Sequence, residues 1–116
     1  MCSMHRPQIE ETGNRLWLDD VRPMPARFTH LAKTSWEAID LLKTVQFEEV
    51  SLDHDLGVGI PDGHEVAKLI EEGAFNGTLK PMRMFCHSQN APGRERIRST
   101  LHNAWKHWQA RLEDEA

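Results

Sequence analysis

Three short apolar runs, each closed by ionisable residues, constrain this chain more than any other feature. Arg15–Leu18 runs into Asp19-Asp20, residues 50–52 into Asp53-His54-Asp55, and residues 82–86 into His87-Ser88. Each run has the length of a strand, and none alternates with polar residues as a half-exposed strand would. Such strands suit a parallel sheet buried on both faces. Residues 28–32 make a shorter fourth candidate. Before it, Val21-Arg22-Pro23-Met24-Pro25 must be a loop, because two prolines break helix and central strand alike.

Helical periodicity fills the intervals. Thr34 and Glu37 have capping-box spacing and open a helix with apolar positions Trp36, Ile39, Leu42 and Val45. Asp62 and Glu65 repeat that spacing ahead of Val66, Leu69 and Ile70, and Gly73 and Gly77 close the helix. Asn90-Ala91-Pro92 opens a last helix with the stripe Ile97, Leu101, Trp105, Trp108 and Leu112. Strands alternating with helices predict an α/β fold. The 116 residues suffice for one domain, 1–116, with 1–13 as a flexible leader and 113–116 as an acidic tail.

Parallel strands bring their carboxyl ends to one edge, where open α/β sheets bind ligands. Asp19, Asp20, Asp53, His54, Asp55, His87 and Ser88 then share a cleft. An Asp after a strand can simply cap a turn, and a lone His54 or His87 is ordinarily structural. The coincidence of three strand ends carries the functional reading. Clustered carboxylates need neutralising, and a divalent cation does that economically. Carboxylates suit Mg²⁺ or Mn²⁺, and imidazole widens the choice toward Fe²⁺ or Zn²⁺.

Basic residues flank the same cleft. Arg22 follows the first acidic pair, and Arg94, Arg96 and Arg98 open the last helix. Cations at a helix N-terminus are unfavourable by roughly 0.3–1 kcal/mol each, whereas anions are attracted there. With Ser88 and Asn90 as donors, these arginines outline a phosphate seat, against the plainer reading of solvated surface charge. His5, His30, His64, His102 and His107 read as surface or capping residues, and Trp105 and Trp108 as core. Gly57, Gly59 and Gly63 lack the dinucleotide-binding spacing.

Composition narrows the class. With 14 Lys+Arg against 18 Asp+Glu, the net charge of −4 argues against a broad non-specific DNA-binding surface. No apolar run approaches the ~20 residues of a membrane span. Residues 1–10 hold no signal-peptide core, and Cys2 and Cys86 lie too far apart for a CxxC site, which fits a reducing cytoplasm.

Several motifs then resemble a known family. Leu16-Trp17-Leu18-Asp19-Asp20 is similar to the first strand of response-regulator receiver domains. Ser51-Leu52-Asp53 resembles their third strand with its phosphoacceptor Asp, Asp62-Gly63 the Asp-Gly that follows, and Asp55 falls where receivers offer a further metal contact. There is little room for the usual first helix, nothing supplies a fifth strand, no Lys follows a strand where receivers need one, and His87-Ser88 stands in place of their Thr or Ser. The resemblance therefore implies a reduced receiver-like (flavodoxin-like) three-layer sandwich. Its four-stranded sheet would be mostly parallel, with first helix and fifth strand missing.

Residues 18–23, 51–57 and 87–93 resemble more closely the cyclic-phosphate-processing receiver domains, whose pocket carries added histidines. Their proposed activity is on cyclic phosphates, 2′,3′-cyclic RNA ends foremost. The resemblance implies a metal-dependent phosphodiester hydrolase acting on RNA ends or a cyclic nucleotide. Asp19, Asp20 and Asp53 would hold Mg²⁺ or Mn²⁺, with Asp55 or His54 assisting. Of His54 and His87, one would be the base and the other the acid. Arg22, Ser88, Asn90 and Arg94 would clamp the phosphate. Two rival readings stand beside it: a non-catalytic module that binds metal and a phosphorylated ligand or a protein, and a degenerate phosphoacceptor at Asp53, against which the missing Lys counts. Four Trp and an apolar last helix also allow a homodimer.

Overall fold

The structure is a computed structural model, and it describes residues 6–115. Cys2, His5 and Ala116, with the readings attached to them, lie outside the described residues. Four strands, β1 (Arg15–Leu18), β2 (His30–Ala32), β3 (Glu49–Leu52) and β4 (Arg83–Cys86), form one sheet in the order β2-β1-β3-β4. Every pair is parallel, with Trp17 opposite Leu31 and Ser51, and Ser51 opposite Phe85. Three helices follow the strands: α1 (Ser35–Thr44), α2 (Gly63–Asn76) and α3 (Ala91–Glu115). Among the described residues no helix joins β1 to β2 and no strand follows α3. The α/β class, the four parallel strands and both missing elements are as expected.

The layer count is not. The β2–β3 and β3–β4 crossovers travel the same way across the sheet, so right-handed connections put α1 and α2 on one face. There α3 packs along α2. Strand residues of one parity, Leu16, Leu18, Ala32, Val50 and Leu52, join Ala38, Leu42, Val66, Ile70, Ile97, Leu101 and Trp108 in a single core. Residues of the other parity, Trp17, Leu31, Ser51 and Phe85, face away from it. Leu31 is 41% and Phe85 49% exposed. The molecule is therefore a two-layer sandwich, not a three-layer one. A helix between β1 and β2 would cross in the opposite direction and cover the second face, but the proline-bearing loop replaces it.

Side chains occupy that face instead. Phe28 tilts against Trp17 with ring centroids 5.1 Å apart. At the amino ends of the strands, Glu48 and Glu49 are buried. Glu48 accepts from Arg15 Nε at 3.0 Å and Arg83 Nη2 at 3.1 Å. Glu49 accepts from Arg27 and, at 3.2 Å, from Arg83 Nε. Arg83 also grips Glu11, and Lys80 pairs with Glu10 at 3.4 Å, which ties the segment ahead of β1 to the sheet.

The helix ends follow the sequence signals with three differences. Thr34 and Glu37 form the full capping box, yet Trp36 is 55% exposed and α1 buries Ser35, Ala38 and Leu42. Asp62 caps α2 through His64 N–H at 3.0 Å, but Glu65 pairs with Lys68 at 2.9 Å rather than returning the bond. Gly73 lies inside α2 against Leu79, and the helix ends at left-handed Gly77, φ +82°. In α3 the buried hydrophobic positions are Ile97, Leu101, Ala104 and Trp108, with Trp105 edge-on to Trp108. The helix continues through residues 113–115. No helix of the described residues is long and apolar enough to cross a membrane.

Candidate metal and phosphate site

The parallel ladder runs one residue past three strands. Asp19 N–H donates to Ala32 O at 3.1 Å, Asp53 N–H to Leu18 O at 3.0 Å and His87 N–H to Leu52 O at 3.0 Å. Asp19, Asp53 and His87 thus stand in a row, with the parity of Trp17, Ser51 and Phe85. A ligand atom from each lies within 4.8 Å of the other two.

Asp19 is buried. Its Oδ1 accepts from the Val21 and Arg22 N–H groups at 2.8 and 2.9 Å, and its Oδ2 accepts from His87 Nε2 at 3.0 Å. Burial alone would raise its pKa, but the Arg22 and Val21 N–H groups and the His87 ring together hold it below the ordinary carboxylate value. Asp53 goes the other way. Burial and then repulsion from Asp19 raise it, against the opposing His54 N–H, His87 and Ser88. Burial lowers His87, with Asp19 pulling in the opposite sense. The His87 ring also meets Ser51 Oγ through Nδ1 at 2.8 Å and stacks on Trp17, centroids 3.8 Å apart and planes 3° from parallel.

The other expected residues divide. Asp20 is half-buried, with its Oδ2 facing Gly57, and does not converge with the row. His54 and Asp55 point elsewhere. His54 Nδ1 donates to Asp55 Oδ1 at 2.8 Å, while Nε2 lies 3.2 Å from Asp62 Oδ2 but makes no hydrogen bond. The His54 ring abuts Gly93, where a Cβ would collide with it. Asp55 also accepts from Asn90 Nδ2 at 3.2 Å. Asn90 caps α3, its Oδ1 accepting from Gly93 N–H at 3.0 Å. Ser88 is buried, and its Oγ accepts from Asn90 N–H at 3.1 Å.

Two arginines hold the backbone just after β4. Arg22 Nη1 donates to His87 O at 2.7 Å, and Arg94 Nη1 to Ser88 O at 3.1 Å. Arg94 Nε is buried and has no hydrogen-bond partner among the described residues. Arg98 leans toward Glu95 at 3.7 Å, and Arg96 is exposed. Of the remaining described histidines, His30 meets Thr29, His64 meets Thr100 and His107 meets Glu71, while His102 is exposed.

Ser51 and Trp17 are the site residues the sequence reading missed. The available signal was parity: Ser51, a hydroxyl in an apolar run, shares its face with Asp53, and Trp17 shares its face with Asp19.

A parallel sheet in this order, with one carboxylate at the carboxyl end of β1 and one at that of β3, defines a receiver-like α/β domain. The model of the cyclic-phosphate processing receiver domain matches residues 14–103, from just before β1 to the middle of α3. The chain belongs to that family. Comparisons with curated proteins and with solved structures give no match. Receiver domains bind a divalent metal, and the residues here fit one. Two carboxylates converge beside the His87 ring, and positive charge between them would offset the burial and the repulsion from Asp19 that raise Asp53.

Proposed function

We propose that this protein hydrolyses a cyclic phosphodiester, foremost a 2′,3′-cyclic phosphate at an RNA end, in a metal-dependent reaction. The observation that carries the reading is the convergence of Asp19, Asp53 and His87 in one row at the carboxyl ends of the strands. Asp19 and Asp53 would hold Mg²⁺ or Mn²⁺, with Asp20 following Asp19 in the chain. A bound cation supplies Lewis-acid polarisation of the phosphoryl group and a lowered pKa for attacking water. Ser88, Arg94 and Arg22 line the same edge and would steady the negative charge that grows on phosphate oxygens. His87 handles the proton at Nε2. His54 and Asp55 brace Asn90 and the start of α3, and so act on the phosphate seat from behind.

The test is ³¹P NMR of a short RNA ending in a 2′,3′-cyclic phosphate, with Mg²⁺ or Mn²⁺ and a matched EDTA control. The expected result is metal-dependent conversion of the cyclic resonance to a monoester, reduced about 100-fold or more in His87→Ala. No conversion by a protein that demonstrably binds Mn²⁺ would overturn hydrolysis. Saturable binding of the RNA end without turnover would then identify a binding module.

A further inference from the structure

We propose that Ser51, with Trp17, is a positioning residue that fixes the tautomer and plane of the His87 ring. The inference rests on the reading above, in which His87 serves the reaction through Nε2. Asp19 Oδ1 already accepts two backbone N–H groups, and Oδ2 faces His87 Nε2 at 3.0 Å. An ionised carboxylate only accepts, so the ring must carry its hydrogen at Nε2. The lone pair then falls on Nδ1, where the Ser51 hydroxyl lies 2.8 Å away and donates. The hydrogen bonds run one way, from Ser51 O–H to Nδ1 and from Nε2–H to Asp19.

The indole of Trp17 fixes the remaining freedom. It lies parallel to the imidazole at 3.8 Å and resists rotation of the ring out of that plane. Both positioning residues come from adjacent strands at paired positions, Trp17 opposite Ser51. Ser51 is buried between Val50 and Leu52, and His87 is its one side-chain partner among the described residues. Alanine would fill that place in the strand equally well, and a buried hydroxyl is costly unless it bonds. The hydroxyl therefore serves His87.

The test uses the full chain, free of metal and labelled with ¹⁵N-histidine. Long-range ¹H–¹⁵N correlation distinguishes protonated from unprotonated ring nitrogens. In the wild type, His87 should show a protonated Nε2 and a bare Nδ1. Ser51→Ala, nearly isosteric, should average or broaden that pattern, and Ser51→Thr should restore it. With the RNA substrate, Ser51→Ala should lower kcat about tenfold while KM and Mn²⁺ affinity hold, and Ser51→Thr should recover it. A wild-type His87 protonated at Nδ1, or an unchanged pattern in Ser51→Ala, would overturn the proposal. A shifted pattern in Ser51→Ala alongside a wild type without turnover would uphold the positioning and overturn the hydrolase reading alone.

Discussion

Asp19 and Asp53 lie side by side at the ends of paired strands, yet their carboxylates sit in different fields. Two backbone N–H groups and an imidazole point at Asp19. Asp53 receives one backbone N–H and the repulsion of Asp19. A carboxyl whose pKa is raised on folding costs stability once pH exceeds its unfolded value. Neutralising Asp53 should therefore stabilise the metal-free fold at neutral pH while weakening cation binding. Asp53→Asn keeps an oxygen for His54 N–H, so the expected result is a higher Tm in EDTA and Mn²⁺ affinity weakened about tenfold or more. Thermal melts and calorimetry check the pair of effects, and a lower Tm in EDTA would contradict the charge argument. Asp19, Asp53 and His87 were legible in the sequence because each extends a strand by one residue, where pleating still dictates direction. His54 and Asp55 were not, because beyond that residue the chain turns toward α2 and α3, and contacts with Asp62, Gly93 and Asn90 decide where they point.

At the scale of elements, the helix signals were readable at their starts and less so along their faces. The Thr34 box is local chemistry, complete within four residues. Which residues of α1 are buried depends on how the helix sits on the sheet, and that placement exposes Trp36 in favour of Ala38 and Leu42. Close approaches depend on two elements at once. The start of α3 reaches the end of β3 only because Gly93 leaves room for the His54 ring. Gly93→Ala should destabilise the fold by about 1–3 kcal/mol, read from urea denaturation, because the ring has nowhere to retreat. The α2–α3 contact carries a pH response. His64 meets Thr100 across it, and burial, then Lys68, lowers its pKa from the ordinary 6.5 despite Asp62. The unfolded chain then binds the proton more readily, so stability falls as pH drops below 6.5 toward the lowered folded value. His64→Gln should flatten that part of the profile, seen as a smaller shift in urea midpoint between about pH 7.5 and about pH 5.5.

For the whole molecule, the same apolar runs that announced a parallel sheet overstated how fully it is covered. A four-residue strand such as β1, RLWL, carries too few positions to show whether its second face meets a helix or only neighbouring side chains. Here Trp17 is buried by Phe28 and His87, with no helix of the described residues above it. The open face thus divides into the row of Asp19, Asp53 and His87, a row of Trp17, Ser51 and Phe85, and a charged row formed by Arg15, Glu49 and Arg83. The charged row closes the amino ends of the strands, away from Asp19, Asp53 and His87 at their carboxyl ends. Glu49 is the test of whether that row stabilises the fold. It is buried, and although burial alone would raise its pKa, Arg27 and Arg83 together hold it below 4.5. A carboxylate lowered on folding stabilises above its unfolded pKa, and the contribution fades as pH falls through the folded value. Glu49→Gln removes the charge but keeps the shape. Because both arginines are partly exposed, the expected loss near pH 7 is about 1–2 kcal/mol, toward the lower end for charged hydrogen bonds. The wild type should approach the variant in stability as Glu49 becomes protonated, while the proposed turnover on cyclic phosphate stays unchanged at neutral pH. Equal urea midpoints for the two proteins at pH 7 would mean that Trp17, Phe28 and the ladder hydrogen bonds hold this face unaided.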